Sequence, residues 1–145
     1  MRSITLSSAL SSSPRALAAA SALGELGRAD DRVIDGLLGL LKDEKYDVRY
    51  AAASALGELD RADDRVIDRL LGLLKDENLH VHVREYAAIA IGKLGIADDR
   101  VIDGIFGLLK DEVWFVRKYA VIALGKLGRA DDRVIDGLLG LLKIW

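Results

Sequence analysis

Apolar residues recur along this chain with two alternating helical patterns. Over residues 48–59, Val48, Ala52, Ala55, Leu56 and Leu59 fall at i, i+4, i+7, i+8 and i+11. That spacing is the single buried stripe of an α-helix. Over residues 66–74, Val66, Ile67, Leu70, Leu71, Leu73 and Leu74 cover a much broader arc, which predicts a helix with contacts on two sides. Alanines crowd the first kind of helix and leave its neighbours room for close approach. An Asp-Asp pair precedes each helix of the second kind, where carboxylates cap the free N–H groups and suit the positive end of the helix dipole. Lys42, Lys75, Lys110 and Lys143 stand towards the opposite end.

The two patterns alternate because the chain is one unit written four times. "RADDRVIDGLLGLLK" occupies residues 28–42 and returns unchanged at 129–143, with close copies at 61–75 and 96–110. Asp30, Asp63, Asp98 and Asp131 are separated by 33, 35 and 33 residues, and the two extra residues lie within "DENLHVHVR". Units of this length, each a helix pair that cannot bury both faces alone, must stack. The fold class is therefore all-α, an α-solenoid (superhelix) of four stacked helical hairpins. The expected divisions are a cap helix at 1–13 and units at 14–46, 47–81, 82–114 and 115–145. Glycines recur at 24, 57, 92 and 125 and again at 39, 72, 107 and 140. A helical glycine costs about 1 kcal/mol relative to alanine, so both sets predict close helix–helix approach, the first set alternatively a helix end.

The blocks "KDEKYDVRYAAASALGELD" and "KDEVWFVRKYAVIALGKLG" resemble HEAT-like repeats of the phycobilisome-lyase type, and equally the artificial consensus solenoids built from such repeats. The resemblance spans residues 14–145. It implies a binding scaffold, since the family is mostly non-catalytic. It also implies a buried arginine ladder, carried here by Arg49, Arg84 and Arg117 and broken in the first unit, where Ala16 takes the place. The family's Asp-Pro helix start is missing: Lys45, Asn78 and Val113 stand at the Asp position, which predicts looser starts.

Comparing the units with one another locates the candidate site. The second helix hardly varies, as a stacking surface should not. The first helix varies along one stripe: Tyr46, Tyr50, Ser54 and Glu58; then Val81, Glu85, Ile89 and Lys93; then Trp114, Lys118, Ile122 and Lys126. A neighbouring line carries Asp47, then His82 with Tyr86, then Phe115 with Tyr119. Stacking aligns these stripes into one surface, and similar scaffolds bind partners on the concave face of this helix. Trp and Tyr dominate such contacts. The expected partner-binding residues are Tyr46, Tyr50, His82, Glu85, Tyr86, Ile89, Lys93, Trp114, Phe115, Lys118, Tyr119, Ile122 and Lys126. The competing reading makes the aromatic residues filler between units.

Composition narrows the chemistry. The 145 residues are 51% apolar and 30% charged, with a formal charge of −2 and no cysteine. Nucleic-acid binders usually carry a basic excess, so no nucleic-acid partner is expected, and thiol chemistry is excluded. No apolar run approaches the ~18 residues of a membrane span, and a soluble, cytoplasmic protein is expected. His80 and His82 form an H-x-H pair without a visible third ligand, and a zinc site needs more. No nucleophile–base arrangement or phosphate loop occurs. No cofactor, metal or enzymatic activity is expected. The partner is another protein or peptide. The resemblance adds a bilin lyase-like alternative, in which an aromatic trough handles a tetrapyrrole on a phycobiliprotein. At the C-terminus "GLLGLLKIW" replaces the charged continuation "GLLGLLKDE" of the earlier units. Three readings compete there: a fragment of a longer array or larger signalling protein, an end stapled by Trp145, or a homo-oligomer formed through an uncapped end.

Overall fold

A computed structural model describes residues 14–59, 64–76 and 80–143. Among these residues lie eight α-helices in two alternating kinds. The first helices are α1 (Pro14–Leu26), α3 (Tyr46–Glu58), α5 (Val81–Leu94) and α7 (Trp114–Leu127). The second are α2 (Asp31–Leu40), α4 (Asp64–Lys75), α6 (Asp99–Leu108) and α8 (Asp132–Leu142). Helices α3, α5 and α7 each begin at the last residue of the unit expected to precede them. The expected cap at 1–13, Asn78, Ile144 and Trp145 lie outside the described residues.

The first helices pack side by side in the order α1, α3, α5, α7. Each of α2, α4 and α6 also packs against the first helix of the following unit. The arrangement is an all-α solenoid, and the two apolar patterns account for it. The narrow stripe of α3, from Val48 to Leu59, is buried throughout. In α4, Val66, Ile67, Leu70 and Leu74 are buried, while Leu71 and Leu73 pack partly buried against the core.

Close approach in the first layer rests on small residues. A Cβ added at Gly24 would lie 2.8 Å from the Ala55 Cα, and one at Gly92 would lie 3.2 Å from the Ala123 Cα. Each glycine thus admits the backbone of the next unit's first helix. The helix ends belong to other glycines: Gly27, Gly95 and Gly128, at φ of 70°, 73° and 69°, take the left-handed conformation that L side chains avoid. The second set of glycines departs from expectation. Gly39, Gly72, Gly107 and Gly140 have nothing within 4 Å of an added Cβ. Close packing in the second layer falls instead at Gly104, where an added Cβ would lie 2.9 Å from Leu71, and at Gly137, which lies under the Phe106 ring.

The Asp-Asp pairs cap as expected wherever they are described. Asp30, Asp98 and Asp131 each accept a hydrogen bond at 3.0 Å, from the backbone N–H of Val33, Val101 and Val134. Those backbone bonds are the main reason the Asp30 and Asp131 carboxyls titrate below the ordinary aspartate value. The first helices start differently. Neither Lys45 nor Val113 makes a side-chain cap, whereas His80 Nδ1 caps α5 by accepting from the His82 N–H at 3.2 Å.

Candidate functional site

Two arginines of the expected ladder are buried, Arg49 and Arg84; Arg117 is exposed. They hold different groups. Arg49 donates to the Asp43 carbonyl at 2.6 Å and Arg117 to the Asp111 carbonyl at 2.7 Å, each tying down the connection before its own helix. Arg84 instead pairs with the Asp111 carboxylate, Nε to Oδ2 at 2.9 Å and Nη2 to Oδ1 at 3.3 Å. This ion pair is buried on both sides and links the third unit to the connection leading into the fourth.

A second ladder, which no sequence pattern had singled out, crosses the second helices. Arg65 pairs with Asp31 at 3.0 Å and Arg69 with Asp35 at 2.6 Å. Arg100 reaches both Asp64, at 2.9 Å, and Asp68, at 2.6 Å. Arg129 pairs with Asp99 at 2.7 Å, and Arg133 with Asp103. Every rung runs from a unit's arginine to an aspartate of the unit before it. The signal was present in the repeated "DDRVID", but there its aspartates read as helix caps alone.

The variable stripe of the first helices divides into open and covered parts. Tyr46, Tyr50 and Trp114 are 72%, 55% and 64% exposed, and Ile122 is also exposed. Lys93, Lys118 and Lys126 are exposed as well. His82, Ile89, Phe115 and Tyr119 are half-buried. Tyr86 and Glu85, expected on the open face, are only 7% and 8% exposed and belong to the packing. The reason is local. The Tyr86 ring lies over the buried Arg49 guanidinium, 5.3 Å from its carbon to the ring centroid. Burial raises the Tyr86 hydroxyl above its ordinary pKa, partly opposed by Arg49. Glu85 Oε1 lies 2.9 Å from His82 Nδ1. The His82 ring in turn stacks on Phe115, centroids 5.5 Å apart, and Trp114 meets the Phe115 edge at 5.7 Å. Phe115 thus joins two units, and Trp114 stands outside it.

A groove of about 480 Å³ lies between α1 and α3, lined by Leu17, Ser21, Tyr46, Tyr50 and Ala51 with Glu25, Asp47 and Glu58. Lys93 pairs with Glu58 and donates to Ser54 Oγ, two of the groove's lining residues, both at 3.1 Å. The open face is therefore acidic and tyrosine-walled over α1 and α3, and lysine-bearing with Trp114 over α7. His80 and His82 stack at 5.0 Å, and no group of three His, Cys, Asp or Glu able to hold a metal ion occurs among the described residues. No described helix is long and apolar enough to cross a membrane.

The family model of HEAT repeats matches residues 5–82 and again 80–144. No curated protein sequence matches the chain. Among solved structures, the crystal structure of an engineered protein is similar, with 21% sequence identity and a TM-score of 0.48. The match covers 92% of this chain and 65% of that one.

Proposed function

The chain belongs to the HEAT-repeat family, and from that premise we propose that it is a non-catalytic scaffold binding a protein partner through the open face of its first helices. The observation that carries this reading is the exposure of Tyr46, Tyr50 and Trp114 at positions where the repeated unit departs from itself. Exposed apolar patches mark interaction sites, and Tyr and Trp are enriched among the residues that dominate protein interfaces. Spacing supports the choice of face. The first helices meet through Gly24, Gly92 and the alanines opposite them, whereas the second helices keep Leu71 and Phe106 side chains between them. A stack with one layer more tightly spaced bends towards that layer, so α1, α3, α5 and α7 line the concave side.

Charge defines the partner. A segment lying along this face meets Glu25 and Asp47 at one end, where Glu58 is already paired with Lys93, and Lys118 and Lys126 at the other. The matching ligand is an extended or helical segment with a basic, apolar portion for the α1–α3 groove and an acidic portion for α7. The same carboxylates disfavour a tetrapyrrole, whose propionates would be repelled.

Selection of binders from a displayed peptide library against the 145-residue chain tests this. The expected binders carry that charge order, lose about tenfold or more in affinity with Tyr50→Ala or Trp114→Ala, and leave helicity and melting unchanged. Binders indifferent to both substitutions would place recognition elsewhere and reject the proposal.

A further inference from the structure

The third unit leaves one buried arginine group unmet beside a cavity. In the second and fourth units the arginine after valine turns Nη1 to the connection before its own helix, Arg49 to the Asp43 carbonyl and Arg117 to the Asp111 carbonyl. The connection before Arg84 is the one lengthened by two residues. Arg84 reaches forward instead, giving Nε and Nη2 to the Asp111 carboxylate. Its Nη1 is buried and has no hydrogen-bond partner among the described residues. Only 7% of the side chain is exposed, and a buried donor left unpaired costs free energy.

Arg84 lines a cavity of about 740 Å³ formed by the end of α4, by α5 and α6, and by the connection into α7. That volume is usual for a small-molecule site. Lys75 and Lys110 line it as well. Both are exposed and have no ion-pair partner among the described residues. Two of the three carboxylates in the wall are already committed. Asp111 is held by Arg84 and by the Val113 N–H at 2.9 Å, and Asp103 pairs with Arg133. Glu112 alone opposes the two lysines, so the uncommitted charge is positive. The remaining wall is apolar or open. Leu74 and Leu108 are buried there, and a Cβ added at Gly107 would meet nothing within 4 Å.

We infer that this cavity binds a small organic phosphate. The phosphate lies against Lys75, Lys110 and Arg84, with one oxygen accepting from Nη1 in the role that a backbone carbonyl plays at Arg49 and Arg117. A doubly charged oxyanion suits two ammonium groups and a guanidinium better than a single carboxylate does. The organic body packs on Leu74 and Leu108. Lysines at these positions recur in every unit and serve the helix ends there, so they do not make a site by themselves. The unmet arginine sets this junction apart. The cavity shares no lining residue with the groove between α1 and α3, nor does it include Trp114, so it stands or falls apart from the scaffold proposal.

Titration of the isotopically labelled chain with phenyl phosphate, followed by NMR at about pH 8 where the phosphate is doubly charged, tests the inference. Saturable shifts are expected at the backbone amides of Gly104, Gly107, Asp111 and Val113. Inorganic phosphate lacks the body and phenol lacks the charge, and each should bind about tenfold or more weakly. Gly107→Leu puts a side chain into open space and favours the helix. Lys110→Glu changes an exposed residue. Each variant is expected to keep full helicity and to weaken phenyl phosphate about tenfold or more. Phenol binding as tightly as phenyl phosphate would make the cavity an apolar pocket and overturn the inference. So would shifts that never saturate, that lie away from the cavity, or that survive both substitutions.

Discussion

The two layers of this solenoid are held by different forces, although they belong to the same repeating unit. In the first-helix layer cohesion comes from shape: glycine and alanine remove side-chain bulk, and backbones approach until Gly24 has no room for a Cβ against Ala55. The second-helix layer keeps bulky Leu and Phe side chains between its helices and adds a row of arginine–aspartate pairs. The contrast explains the pattern of repetition. A charge ladder works only if every unit offers both halves, and "DDRVID" recurs unchanged in all four. Shape packing constrains only the contacting stripe of a helix and leaves the opposite stripe to vary.

Breaking the tie between the third unit and the connection into the fourth should have the largest effect. Arg84 and Asp111 form a buried pair, and removing one partner strands the other's charge. Asp111→Ala is expected to destabilise by about 3–5 kcal/mol, measured by urea unfolding. A smaller effect separates the layers directly. Gly24→Leu should cost about 1–3 kcal/mol through overpacking. Gly72→Ala, in open space on α4, should instead stabilise by about 0.4–1 kcal/mol. Equal effects of the two would erase the distinction between tight and loose layers. Single rungs of the outer ladder matter less. Arg69→Ala removes an exposed pair with Asp35 and should cost less than about 1 kcal/mol, with the loss shrinking further at high salt.

The smallest effect appears only in alkali. Burial holds the Tyr86 hydroxyl above its ordinary pKa, so above about pH 10 the folded chain keeps a proton that the unfolded chain releases. Stability from this group is therefore complete below the unfolded value and declines as pH rises towards the folded one. Melting followed above that pH should show the decline in the wild type and a weaker one in Tyr86→Phe.

Much of the fold was legible in the sequence. The alternation of a narrow alanine-rich stripe with a broad leucine-rich arc identified both kinds of helix, and the period identified the stack. Both are local properties of residues facing their own helix axis. The candidate face was legible only in part. Tyr46, Tyr50 and Trp114 stand open as the stripe predicts, but Tyr86 does not, although Ala51 and Tyr119 occupy the same place in neighbouring units. Whether a ring at that position points outward depends on the Arg49 guanidinium beneath it, which arrives from another unit. The recurrent Gly39, Gly72, Gly107 and Gly140 misled for a similar reason: recurrence shows that a position is repeated, not that a neighbour presses on it.

By itself, then, the sequence determined the helices, the aspartate caps of the second helices and the stacking of four units, because hydrophobic period and capping chemistry act within a few residues. The tertiary structure alone decided which glycines are contacts, which arginine meets which aspartate and which aromatic side chains reach solvent. Each of those depends on the distance and rotation between successive units, set by the summed packing of two layers and not written at any single position.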